Sequence, residues 1–486
     1  MKIYKFPEEY EKISQEYKVS CNGEKIGVYS CDVSAVPFNQ VWSGYQRPEN
    51  QTEKSAYIML SSDEAITLEI EPKRCFEKIT VRPLSKKIKP NIENGKVSVL
   101  FSEAGQYTVE FDDFHNVLTV FINPEKDFQD IRNDENVIYF GAGVHYVDKR
   151  IILKDGQIVF IDEGAVVYGA IEAVDKKDIK IIGYGILDNS HMNRANEING
   201  CAVLDPDAGD MTGNPIFLNR CQNILIEGVT LVNSSGWNIY LDGCSDVTVD
   251  NIKVIGQWRY NADGCDFCNC RNSVIKNSFL RTFDDCIVIK GFKLNNNLPL
   301  ENITAENCVL WCDWGRALEV GAETSAPYMM EITFKNCDII YGCHVMLDIQ
   351  HGDKAKISNV RFEDMRIEYR AKAEYPLIQE NKDSVYENKD ETYMPTLFEI
   401  IAGTTMWSID NCSGTLSDVS FKNISVTTED GRIPQNSSIF ARDNENKIDG
   451  VYFENITVNG KRCDMRTLKV HIGTGAENIY FNDIRR

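Results

Sequence analysis

Two adjacent aspartates, Asp284 and Asp285, lead into the apolar run Cys286-Ile287-Val288-Ile289-Lys290. A third, Asp263, stands about one repeat earlier in Asn261-Ala262-Asp263-Gly264. Carboxylates held close together raise the pKa of at least one of them. A carboxyl group that keeps its proton beside one that has lost it is the equipment of general acid–base catalysis near neutral pH. The same residues also suit a plainer role, a ladder of aspartates capping turns, and both readings stand at this point.

The elements that position them repeat. A polar residue, alternating apolar residues and a second polar corner recur as Asn223–Leu231, Asp246–Val254, Asn272–Leu280 and Asn302–Leu310. Later copies start at Glu331, Asn359, Asp418, Gly450 and Asn478, mostly 23 to 32 residues apart. That period leaves no room for a helix in every crossover, and a propeller blade needs four strands and a longer period. Short strands with Asn and Gly corners stack coil upon coil, about 4.8 Å per rise. The chain is therefore expected to form a right-handed parallel β-helix over residues 126–486. Two stretches break the rhythm, 189–215 and 370–396, and are expected to leave the stack as loops that wall a cleft.

Laying the coils on one another fixes faces. Trp314–Val320 falls over Phe283–Ile289, so Ile287 and Ile289 point inward beneath Leu318 and Val320. Val288, Lys290, Glu319 and, on the next coil, Asp348 point outward. By that parity Asp285 would face the core, which an unpaired carboxylate does not tolerate, so a bend or bulge is expected there. The overlay also sets Leu241-Asp242-Gly243-Cys244 against Ala262-Asp263-Gly264-Cys265, with Asp242 as a turn cap. His344 and His351 are expected to flank the same face.

The first ~125 residues read as a β-sandwich, in runs such as Lys96–Phe101, Tyr107–Phe111 and Val117–Ile122 separated by turn chemistry. Asn123-Pro124 closes that unit. A formal charge of −21 argues against a nucleic-acid partner. The opening residues carry no apolar stretch of signal length and no run is long enough to span a membrane, so a cytoplasmic location is expected. The 16 cysteines are expected to be reduced and packed as small hydrophobes. Cys265-x-x-Cys268-x-Cys270 lacks a second ligand pair, and no metal is assigned to it.

The block Asn261-Ala262-Asp263-Gly264 with Asp284-Asp285-Cys286-Ile287-Val288-Ile289-Lys290 resembles the signature of family 28 glycoside hydrolases, the polygalacturonase group. Gly183-Tyr184-Gly185-Ile186-Leu187-Asp188 and Asn233–Ile239 match that family's earlier landmarks. The resemblance implies hydrolysis of glycosidic bonds with inversion and without a cofactor. It implies Asp284 as the general acid, Asp263 and Asp285 as the pair that holds and deprotonates water, and Lys290 near the scissile bond. Arg316, Glu319, Asp348 and His344 are the remaining candidate substrate contacts. The family's Gly-His-Gly and Arg-Ile-Lys motifs have no counterpart; Trp314-Gly315-Arg316 stands in the first position. Val137–Tyr146 and Asp162–Ile171 resemble family 49, the dextranase and isopullulanase group, which also sets a β-sandwich before its solenoid.

The function expected is an inverting hydrolase acting on the end of an oligosaccharide, pectin-derived or related. A neutral α-glucan substrate, a lyase or epimerase, and a non-catalytic carbohydrate-binding solenoid are the alternatives. The partner is an oligosaccharide; the oligomeric state is not legible.

Overall fold

A computed structural model describes the chain except residues 41–50, 94, 193–212, 371–372, 382, 388–392, 413, 430, 443–445, 483 and 486. It is built mostly of strands, with almost no helix. Near the N-terminus, mainly antiparallel sheets of six and five strands face each other. Lys96–Phe101, Gly105–Phe111 and Asp113–Asn123 are three of the strands, and Gly105–Phe111 pairs with Asp113–Asn123 around a bulge. Alternation along Tyr57-Ile58-Met59-Leu60 explains how this sandwich serves two cores. Ile58 and Leu60 pack between the sheets with Leu68, Val99 and Val120, whereas Tyr57 and Met59 face the solenoid and pack with Phe279, Trp311 and Tyr341.

Beyond the helical turn Gln129–Arg132 the chain winds into a right-handed parallel β-helix, whose coils feed sheets of 13 and 21 strands. The corners follow from residue type. Asn223, Asp246, Asn272, Asn302, Glu331, Asn359, Asp418, Gly450 and Asn478, the first residues of the sequence repeats, all have positive φ, between 49° and 75°. Asn, Asp and Gly tolerate this left-handed conformation best. A second corner forms a ladder, in which Asn336 Nδ2 donates to Asn307 Oδ1 at 2.6 Å and Asn455 Nδ2 to Asn423 Oδ1 at 2.9 Å. Inside, residues of one type stack coil over coil. Phe334, Phe362, Phe421 and Phe453 lie 4.8 Å apart, the spacing of hydrogen-bonded strands. Each such ring contributes about 1.5–3 kcal/mol on burial. Cys265 and Cys270 belong to this core, and Cys268 packs outside it with Trp237 and Tyr240.

A buried ionic knot ties sandwich to solenoid. Arg82, 2% exposed, pairs with Glu110 at 3.0 Å, with Glu368 of the solenoid, and with Glu429 at 2.7 Å. Among the described residues, removing the guanidinium leaves Glu368 buried with only the Leu84 N–H on its carboxylate, and Glu110 with Arg370 alone. Arg82→Ala is therefore expected to cost about 3–5 kcal/mol in urea unfolding. A loss below about 1 kcal/mol would mean that water satisfies those carboxylates unaided.

Candidate active site

The three aspartates converge where coil corners meet one sheet. Asp263 closes the turn before strand Cys265–Cys268, and Asp284 and Asp285 occupy the bend before Ile287–Gly291. Ladder bonds lock the coils: Gly264 N–H donates to Asp285 O at 2.8 Å, and Cys286 N–H to Arg316 O at 2.9 Å. Asp263, Asp285 and Arg316 thus stand on successive coils. The bend that Asp285 requires is present. Strand pairing begins only at Ile287, opposite Leu318, with Val288 opposite Glu319 and Ile289 opposite Val320. The bend is possible because Gly315 lies over it. A Cβ there would come within 2.4 Å of Asp285 Oδ1 and 2.6 Å of Asp284 Oδ1. Arg316 N–H then holds Asp285 Oδ1 at 2.6 Å.

These residues open onto a cleft of about 330 Å³, lined by Asp263, Asp284, Asp285, Lys290, Arg316 and Glu319 on one side. Trp314, Met406, Trp407 and Ile378 also line it. Ile378 belongs to strand Leu377–Gln379, which pairs with Phe38–Gln40 of the sandwich domain. Part of the 370–396 stretch therefore does wall the cleft. Most of the 189–215 stretch lies outside the described residues. A larger groove of about 720 Å³ runs along the seam between sandwich and solenoid, past Lys86, Gln106, Asn251 and Asn277. It holds none of the three aspartates.

Electrostatics follow from burial. Asp263 is 2% exposed, and its pKa is pushed well above the carboxylate range by burial first and then by Asp266. Burial and the neighbouring Asp285 do the same to Glu319, whose carboxyl hydrogen-bonds Asp285. Lys290 Nζ lies 3.0 Å from Asp266, 3.5 Å from Asp263 and 3.8 Å above the Trp237 ring. Arg316 pairs with Asp348 at 3.3 Å and approaches Asp285 at 3.9 Å.

Two sequence candidates stand behind the lining. Asp348 is fully buried opposite Glu319, accepts a hydrogen bond from Gln350 at 2.9 Å, and is raised to about 7 by burial. It meets the cleft through Arg316 and Glu319. His344, half-buried, is not part of the lining and has its ring 6.2 Å from that of Trp314. Burial, then Arg316, lowers it to about 3, so it is neutral. His351, expected on the outer face, is fully buried with Nδ1 3.0 Å from Thr324 Oγ1.

Asp242 corrects the overlay. It pairs with Cys268, not with Asp263, because Trp237-Asn238 fills the corner beneath Asp263, where Asn238 N–H donates to Asp263 O at 2.9 Å. Nor is it a solvated cap: it is buried, accepting from Asn295 Nδ2 and Tyr240 Oη, each at 2.9 Å. Burial raises its pKa to about 7. A folded-state pKa above the unfolded value of 3.8 means that its contribution is fully present below that value and is lost as pH rises through 7. Asp242→Asn is therefore expected to flatten the decline of stability between pH 4 and pH 8, read as thermal midpoints of both proteins. Parallel pH curves would place its pKa at the unfolded value.

Reading by motif missed Asp266, Glu323, Trp237 and Trp407. Asp266 carried a signal, since alternation from the inward Cys265 sends it outward in the row Tyr240, Asp266, Val288, Glu319, Asp348. Burial raises it to about 7, against Lys290.

The family model "Glycosyl hydrolases family 28" matches residues 171–474. The probable exopolygalacturonase B of Aspergillus terreus is 26% identical over 206 residues, 40% of this chain and 45% of its own. That of Aspergillus flavus is 24% identical over 291 residues, 53% of this chain and 63% of its own. The chain thus spans between about half and two thirds of these curated relatives. Rhamnogalacturonase A of Aspergillus niger is 20% identical over 307 residues, 62% of this chain and 60% of its own. Among solved structures, Dex49A from Penicillium minioluteum superposes with a TM-score of 0.65 at 14% identity, covering 97% of this chain and 94% of that one. The family 28 exopolygalacturonase of Yersinia enterocolitica gives 0.51 at 14% identity, covering 99% and 93%.

Proposed function

The chain belongs to the family 28 glycosyl hydrolases, and from that premise we propose that it is an inverting hydrolase that removes a sugar from the end of a pectin-type oligosaccharide. The observation that carries the proposal is the meeting of Asp263, Asp284 and Asp285 in one cleft. Asp284 protonates the glycosidic oxygen. Asp285, with Asp263 beside it, holds a water on the opposite side of the sugar and takes its proton as it attacks the anomeric carbon. An inverting pair commonly stands about 6.5–9.5 Å apart to leave room for that water, and the proposal requires Asp263, a coil below, to provide that offset. The N–H of Arg316 and the carboxyl of Glu319 orient Asp285; Lys290 balances Asp263 and Asp266.

End-wise action is supported by cleft size. About 330 Å³ sits at the small end of ligand sites, ~300–1,000 Å³, and Ile378, Met406 and Trp407 add to its walls. The relatives named exopolygalacturonase B point the same way. Proton NMR on a panel of pectin-derived oligosaccharides tests this. A single terminal sugar released with inverted anomeric configuration is expected. Retention, internal cleavage or an ultraviolet-absorbing unsaturated product would overturn it.

A further inference from the structure

Resting on that hydrolase reading, we infer that the sugar seated beside the three aspartates is a neutral pyranose and not a uronic acid. The inference comes from where the cations of the cleft are spent. Among the described residues only Lys290 and Arg316 bring positive charge to the lining, against Asp263, Asp284, Asp285, Glu319 and Glu323.

Neither cation faces the cleft with its charge uncommitted. Lys290 is 5% exposed, bridges Asp266 and Asp263, and rests on the Trp237 ring. Arg316 pairs with Asp348 and Asp285, and Glu319 and Asp284 also act on its charge. Four carboxylates therefore surround one guanidinium. A sugar carboxylate entering here would compete for a guanidinium that these acids already surround, in a site screened from water, where an under-compensated buried charge is disfavoured.

The remaining lining offers what a neutral sugar uses. Trp314, Trp407 and Tyr260 present flat apolar surface and Met406 and Ile378 flexible apolar surface, to which the C–H face of a pyranose can pack. The acids accept hydrogen bonds from its hydroxyl groups. A carboxylate has no hydrogen to donate to them.

The test is a matched pair differing only at C6. Binding of methyl α-D-galactoside and methyl α-D-galacturonide to Asp284→Asn protein would be measured by calorimetry, alongside the methyl α-glycosides of L-rhamnose, D-glucose and D-xylose. Free monosaccharides on the wild type repeat the comparison with no substitution. At least one neutral glycoside is expected to bind about 100-fold more tightly than the galacturonide, the fold-change that corresponds to leaving a charged group unsatisfied. A galacturonide that binds as well as the best neutral sugar would overturn the inference, as would silence from every neutral sugar. Turnover separates the two readings. Galacturonides bound and hydrolysed with inversion would end the neutral-sugar inference and keep the hydrolase; sugars bound by wild type and never hydrolysed would end the hydrolase reading itself.

Discussion

Asp284→Asn is expected to lower kcat on an unactivated glycoside by about a hundred- to ten-thousand-fold, the range over which a positioned general acid acts, with KM little changed. Asparagine keeps the shape of the side chain beside Gly315 and removes only the transferable proton. The size of the loss should depend on the leaving group. A dinitrophenolate departs without protonation, so on a dinitrophenyl glycoside the variant should recover most of its rate. In the proposed mechanism Asp285→Asn removes a different function, the orientation and deprotonation of water, which every substrate needs. It should be slow on both substrates. Equal losses for Asp284→Asn on the two leaving groups would take the acid's role from Asp284, and recovery in Asp285→Asn would exchange the two assignments.

The solenoid was legible in the sequence because its physics is local and repeated. Asn223, Asp246 and Asn272 each mark a corner where the backbone turns left-handed, and Asn, Asp or Gly recurs at that place in each of the repeats named above except the one that begins at Glu331. The overlay of Phe283–Ile289 under Trp314–Val320 held for the same reason, since inward Ile and Leu must stack. It failed for Asp242, where a repeated Asp-Gly-Cys string was matched letter by letter although Trp237 and Asn238 take the corner in question. Asp266 was hidden by its neighbours: three cysteines drew the eye to metal chemistry, and alternation by itself would have placed the acid outside. The apolar wall could not have been found this way. Ile378 and Trp407 lie in irregular segments outside the repeat, and Ile378 is held at the cleft by pairing with a strand more than three hundred residues away in sequence. That contact is long-range, and no period announces it. His351 shows the converse limit, because parity gives the face of a strand and not how much protein is packed over it.

Gly315→Ala is the sharpest test of how the acids are held. Its new Cβ would sit 2.4 Å from Asp285 Oδ1, 2.6 Å from Asp284 Oδ1 and 2.8 Å from the backbone nitrogen of Asp285. Side chains could swing away from such a contact, but a backbone nitrogen moves only with its bend, so both carboxylates must leave their present positions together. A misplacement near 1 Å costs about 100-fold in rate, and kcat/KM is expected to fall by that much or more. The fold should survive, because the backbone at Gly315 is not among the positive-φ positions that only glycine accepts readily, and a thermal melt of the variant should stay close to wild type. The decisive comparison is the double variant. If Gly315→Ala acts by displacing the acid, it should cost far less in the Asp284→Asn background, where the acid is already gone, than in the wild type; residues serving one step are non-additive in this way. Full additivity would show that Gly315 acts on something other than the acid, and a loss below about tenfold in the single variant would show that the chemistry does not depend on the placement of Asp284 and Asp285 at all.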